Sequence, residues 1–281
     1  MHHESFGTAF KRGYMRIPAV IRVIITINVV IFIFQALASS DFNRALIELF
    51  AFDPDWRTTA WQPWRFVSYM FLHGSGLHLI FNMLWLWWMG RAVEEHIGPR
   101  SFMVIYFGSG IGGALINLIG APIFGTTLVI GASGAVFGVM VAFAVLFPRA
   151  PIMLLFLPPI ESRFLVAGLI AFDLIFIGSA DNVARIVHLG GAGFGYLLIR
   201  QHVTGGDLSS IVRTFERFFY RSGKKKRRPA NRKMYSVSDV EIMEEKDVNE
   251  LDEILEKISK EGYDALTDEE KRKLFELSKR N

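Results

Sequence analysis

Hydrophobic positions along this chain gather into six runs, 17–37, 77–93, 102–124, 128–147, 152–178 and 183–199, while residues 200–281 are largely charged. A soluble chain mixes the two kinds at helical or strand period. Long unmixed runs predict helices that cross a bilayer, which needs about 20 residues per span. The first, third and fourth runs meet that length. The fifth is interrupted by Pro158-Pro159, Glu161 and Arg163, which leaves 164–177 as its clean part. The second and sixth are short, carry polar residues and glycine, and by length alone fit re-entrant or buried elements as well as spans.

Charge orients the runs. Lys11, Arg12, Arg16 and Arg22 surround the start of the first, and a basic stretch follows the last, so the positive-inside rule places both ends in the cytoplasm. Two cytoplasmic ends require an even number of crossings, and six fits. No small-x-small cleavage site follows the first run, which is therefore read as an uncleaved span rather than a signal peptide. Residues 38–76 then lie outside. Their aromatic residues Trp56, Trp61, Trp64, Phe66, Tyr69 and Phe71 suit an interfacial belt or a packed external cap equally.

After the last run, Ile211, Phe215 and Phe218 fall on one side of a helix over 207–221, with Arg213, Arg217 and Arg221 on another, the pattern of a helix lying on the inner membrane surface. Gly223 to Lys233, GKKKRRPANRK, is polybasic. Beside a span it is assigned to anionic lipid rather than to nucleic acid. Beyond it the chain turns acidic. Leu251, Ile254, Leu255 and Ile258 form a helical stripe, and Thr267 with Glu270 is a capping box opening a second helix with Leu274 and Leu277. This hairpin has little core of its own and is expected to dock on a cytoplasmic partner. The division is 1–16, a cytoplasmic segment; 17–200, the membrane domain; 201–233, an amphipathic and polybasic linker; and 234–281, the acidic hairpin. The fold class is all-α, a six-span membrane bundle with a small soluble helical tail.

The absence of cysteine excludes disulfides, thiol nucleophiles and cysteine-based metal sites, and neither a cofactor nor a metal is expected. The chemistry lies in polar residues inside the runs. With six spans, runs two, four and six all pass from outside to inside. His78 and Asn82 come at the start of run two, four residues apart and so on one helix face; Ser133 comes near the start of run four and His188 near the start of run six. Polar groups in lipid are costly and face a cavity or one another. Each alone is equally well a helix–helix hydrogen bond, but four at one depth point to a site. Neutral histidine can take the proton that makes serine a nucleophile, so Ser133 and His188 form a candidate dyad. His78, Asn82 and the Ser133 backbone N–H, at a helix start, are candidate donors to an oxyanion. No aspartate is needed in principle, since serine–base dyads work; Asp173 in the fifth run is a conceivable third member but is placed near mid-bilayer or beyond, as a structural or packing polar residue. Gly131, Gly134 and Gly138, and Gly190, Gly191, Gly193 and Gly195, predict a close approach of the fourth and sixth helices.

These residues resemble the rhomboid intramembrane serine proteases. Gly131-Ala132-Ser133-Gly134 matches the family's Gly-x-Ser-Gly, and His78 to Asn82 its His-x-x-x-Asn. His188, Gly191 and Gly195 match its His-x-x-Gly-x-x-x-Gly. Trp64-Arg65, His73 and Glu94 match its first-loop pair, loop histidine and structural carboxylate. The likeness covers roughly residues 17 to 200. It implies Ser133 as nucleophile, His188 as base, His78, Asn82 and the Ser133 N–H at the oxyanion, and a cavity open to the outside gated by the fifth span and the loop before the sixth. It also implies transmembrane protein substrates cut after a small residue near the outer face of the inner (plasma) membrane. Phe137 stands where many bacterial members carry a tyrosine against the histidine. The alternative is a catalytically inactive rhomboid-like chaperone or trafficking protein, whose members typically lose the serine or histidine. A transporter is disfavoured by the lack of internal repeats. The missing His-Glu-x-x-His and aspartate pair disfavour other intramembrane proteases.

Overall fold

The computed structural model describes residues 6–125, 127–153, 158–177, 182–221 and 252–278, in two units, Met1–Ser222 and Gly223–Asn281. The first unit begins with α1 (Phe6–Met15) and α2 (Ala19–Leu37), followed by three short helices, α3 (Ser40–Phe50), α4 (Trp56–Trp61) and α5 (Arg65–Ser68), and a 3₁₀ turn at Tyr69–Phe71. Then come α6 (Gly76–Ile97), α7 (Pro99–Phe124), α8 (Ser133–Leu146), α9 (Ser162–Ile175), α10 (Asn182–Val203) and α11 (Ser209–Arg221). Each of the six apolar runs contains one helix of the bundle: α2, α6, α7, α8, α9 and α10. By length and composition alone, α2 and the Pro99–Ile123 part of α7 could cross a membrane. Helices α6 and α10, 22 residues each, reach about 33 Å but carry more charge.

The joints are explained by local chemistry. Gly98 at φ +80° ends α6, and Pro99 opens α7 at once, each residue at the helix end it suits. Glu94 on α6 is buried and accepts the backbone N–H groups of Val20 and Ile21, both at 3.0 Å, so a carboxylate from another helix closes the open start of α2. Arg100 at the start of α7 pairs with Glu216 of α11 at 3.1 Å.

Three stretches carry structure that the apolar runs do not show. The fourth run starts at 128, but α8 begins only at Ser133. Val129 is instead held in a two-way backbone bridge to Phe52, at 2.9 Å each way, and Gly131 sits at φ +123°. Fourteen residues give α8 about 21 Å, short of the roughly 30 Å of a hydrocarbon core. In the fifth run, Pro151–Ile152 (β1) pairs antiparallel with Ile160–Glu161 (β2), and α9 occupies the clean part expected over 164–177, shifted by two residues at each end. The stretch 38–76 is neither a belt nor a cap alone. Trp56, Trp61 and Trp64 are exposed, whereas Tyr69 is buried in the core.

The second unit is described only in part. A helix over 252–261 (α12) and Asp268–Ser278 (α13) flank a 3₁₀ turn at Tyr263–Ala265. The capping box is formed: the Thr267 N–H donates to Glu270 Oε2 at 2.7 Å, and the Glu270 N–H to Thr267 Oγ1 at 3.4 Å. Ile254 is buried and Leu255 half exposed, so the stripe is narrower than its apolar residues suggest. The polybasic linker 223–233, Leu251 and the side chain of Leu277 lie outside the described residues.

Candidate active site

Ser133 is the first residue of α8, so its backbone N–H has no acceptor within the helix. The turn that delivers it needs glycine at 131 for two reasons. The φ of +123° is one that side chains rarely adopt, and a Cβ there would stand 2.6 Å from His78 Cε1. The His78 ring therefore lies directly over the Gly131 backbone. The Gly131 N–H donates to the Tyr69 carbonyl at 2.9 Å, and the Tyr69 hydroxyl donates to the Gly110 carbonyl at 2.8 Å. Tyr69 thus ties the turn before Ser133 to α7. Sequence reasoning counted it only among loop aromatics.

Helices α8 and α10 meet backbone to backbone. A Cβ at Gly191 would fall 2.0 Å from the Gly134 carbonyl oxygen, and one at Gly195 would fall 2.4 Å from Gly138 Cα. Nothing larger than hydrogen fits at either crossing point, as the glycine spacing predicts. His188 lies one turn before Gly191 and is carried to the α8 side by this contact.

Ser133, His188, His78 and Asn82 line one cavity of about 220 Å³, together with Trp85 and Phe137. The four residues singled out from the sequence are thus brought together. Phe137 stacks flat on His188, with centroids 4.3 Å apart and planes at 7°, so the stacking role survives without a hydroxyl. Asn82 donates through Nδ2 to the His78 carbonyl at 2.8 Å, one turn back, which engages one of its two amide hydrogens.

The placement of Asp173 is a correction. Its Oδ2 lies 2.9 Å from His188 Nδ1, and its Oδ1 lies 3.4 Å from Arg185 Nη1. The sequence reading set it near mid-bilayer or beyond, as a structural polar residue. Asp173 falls in the last turn of α9, at the end next to the start of α10.

The external-loop residues form a second polar cluster. Arg65 is 5% exposed; its Nη1 donates to the Ala51 carbonyl at 2.7 Å, its Nη2 to the Glu48 carbonyl, and its Nε to Gln62 Oε1 at 2.6 Å. Trp64 Nε1 donates to the Leu49 carbonyl at 3.1 Å. The pair closes the C-terminus of α3, where carbonyls lack helical partners. His73, 2% exposed, lies edge-on to His78 with centroids 5.0 Å apart, and its backbone N–H donates to Gln35 Oε1 at 3.1 Å. Burial, with the His78 charge assisting and a backbone hydrogen bond at Phe71 opposing, lowers its pKa to about 4.

A family model described as the Rhomboid domain matches residues 60–202, and one described as a family of unknown function (DUF6576) matches 243–280. Similar relatives include "Rhomboid protease GlpG" of Yersinia pestis (strain Pestoides F), 32% identical over 139 residues, and that of Serratia proteamaculans (strain 568), 33% identical over 140. Each match covers 49% of this chain and 47% of the relative, so the chain spans about half the length of the curated relatives it matches. The Rhomboid model takes in half of the chain and every residue named as lining the cavity, on a bundle of helices with a single two-stranded hairpin among its described residues. This chain belongs to the rhomboid family, whose fold is a polytopic helical membrane bundle.

Proposed function

We propose that this chain is an intramembrane serine endopeptidase that cuts single-span membrane proteins near the outer face of the inner membrane. One observation carries the reading: a serine and a histidine from different helices line one small cavity with two further polar side chains, in a bundle where such groups are costly. In this reading Ser133 Oγ attacks the scissile carbonyl carbon and passes its proton to His188 Nε2. The oxyanion receives hydrogen bonds from the Ser133 N–H, His78 and the free amide hydrogen of Asn82. His188 then protonates the leaving amine, and water hydrolyses the acyl-enzyme by the same relay. The shortness of α8 supports a water-filled approach on the Ser133 side. A helical substrate hides its carbonyls in hydrogen bonds, so glycine or proline near a small residue at the cut favours cleavage.

The accompanying topology has six spans, both termini in the cytoplasm and residues 38–76 outside, with 17–200 as the protease domain. The exposed Ile211, Phe215 and Phe218 on α11 support contact with the inner leaflet. Anionic lipid at 223–233 and a cytoplasmic partner for 234–281 complete the proposal.

The test is labelling of the full chain in detergent with a fluorophosphonate, read by mass spectrometry, beside cleavage of a single-span reporter. Ser133 should be the labelled residue, and Ser133→Ala should abolish both signals with its melting temperature unchanged. A folded Ser133→Ala protein that still cleaves would refute the assignment.

A further inference from the structure

Asp173 is 6% exposed and holds two partners, one on each oxygen: His188 Nδ1 on Oδ2 at 2.9 Å, and Arg185 Nη1 on Oδ1 at 3.4 Å. Arg185 and His188 lie three residues apart on α10, on one helix face. Asp173 comes from α9, so the cluster joins two helices beside the cavity. Arg185 is itself fixed: its guanidinium lies 5.4 Å from the Phe172 ring centroid and 5.6 Å from that of Phe176. It supplies the charge that balances the carboxylate without a proton on His188.

We propose that Asp173 is a positioning residue for His188: clamped by Arg185, its carboxylate keeps a proton on Nδ1 and leaves Nε2 as the lone-pair nitrogen facing the serine chemistry. This rests on the reading of Ser133 as nucleophile and His188 as base. An ionised carboxylate can only accept, so the hydrogen on Nδ1 must point to it, and neutral imidazole then has its free pair on Nε2. During attack the Ser133 Oγ–H bond breaks as Oγ–C forms, and the proton moves to Nε2. The Nδ1 proton stays where it is, and the imidazolium so formed gains the full attraction of the carboxylate. Phe137 holds the opposite degree of freedom, the tilt of the ring.

Arg185 makes this separable from mere packing. In Asp173→Asn, the arginine donor keeps the amide oxygen and turns the NH₂ toward His188. Nδ1 must then accept, which drives the proton onto Nε2 and removes the base. In Asp173→Ala the imidazole is loose but free to choose its tautomer. In Asp173→Asn with Arg185→Met, the amide can flip and offer its oxygen again.

The experiment measures the fluorophosphonate labelling rate of Ser133 in the full chain in detergent, normalised to folded protein by circular dichroism. Asparagine in place of a triad aspartate costs about 10⁴-fold in a soluble serine protease. Here D173N is expected to slow labelling at least ~100-fold. D173A should be faster than D173N, D173E faster than D173A, and D173N/R185M faster than D173N. A folded D173N that labels at the wild-type rate, or a D173N/R185M no faster than D173N, overturns the proposal while leaving Ser133 as nucleophile. A wild-type chain that does not label overturns the nucleophile assignment instead. Should D173N not fold, nitrogen-15 shifts of the wild-type His188 ring decide: a protonated Nδ1 is expected, and a proton resident on Nε2 overturns the role.

Discussion

The replacement of Gly191 by alanine tests how the site is assembled. The added Cβ would stand 2.0 Å from the Gly134 carbonyl oxygen, 2.7 Å from its carbonyl carbon and 3.0 Å from its Cα. All three are backbone atoms, so no side chain can rotate away. A carbon–oxygen contact settles near ~3.3 Å, so the helices must part by more than about 1 Å at that crossing. Gly134 follows Ser133 directly and His188 lies one turn before Gly191, so the displacement falls on both. Overpacking of this kind costs about 1–3 kcal/mol of stability, and a misplacement of about 1 Å costs on the order of 100-fold in rate. Gly191→Ala should therefore melt earlier, and its folded fraction should label with fluorophosphonate about 100-fold more slowly. Gly195→Ala, against Gly138 Cα, should destabilise comparably but slow labelling less, since the strain falls a turn further from the serine. Gly193→Ala is the control: a Cβ there meets nothing within 4 Å. A Gly191→Ala chain with wild-type melting and labelling would refute the argument that backbone contact sets the spacing of serine and histidine.

Other contacts give outcomes of their own. Because His73 titrates near 6.5 unfolded and about 4 folded, the unfolded chain binds a proton the folded one refuses; stability should fall as pH drops between these values, by up to about 3 kcal/mol, and His73→Phe should flatten that part of the pH dependence of melting. Glu94→Ala strands two N–H groups at the start of α2 and should cost about 2–4 kcal/mol in unfolding, while Glu94→Gln, which keeps an acceptor, should cost less. Phe137→Tyr should label close to wild type, whereas Phe137→Ala, losing the stacked ring worth about 0.5–1.5 kcal/mol, should label a few-fold more slowly.

The six helices and four cavity residues were legible because their signals are read together: order and charge join the apolar runs into one bundle, and four polar residues at one depth point to a site. An apolar run of span length has few other uses, and serine, histidine and asparagine are rare enough inside such runs to stand out. Gly134, Gly138, Gly191 and Gly195 foretold a close crossing because small residues at four-residue spacing leave room for nothing else. Glu94 stood out only through the family pattern; its bonds to Val20 and Ile21 come from residues more than seventy positions away.

Polarity in the runs and their order along the chain, both properties of the sequence alone, point to a helical membrane bundle, with Ser133 and His188 each near the start of its run. Local signals start α6 at Ser75 and α7 at Gly98-Pro99, whereas backbone pairs outside the helices precede α8 and α9. The bridge from Val129 to Phe52 comes before α8 at Ser133, and the β1–β2 pairing before α9 at Ser162. Asp173 meets His188 because α9 ends at Ile175 and the last turn of α9 lies against the first turns of α10. Hydropathy records how readily a residue enters lipid, but the bridge from Phe52 to Val129 and the pair of Asp173 with His188 join different elements, and only the folded chain brings them together.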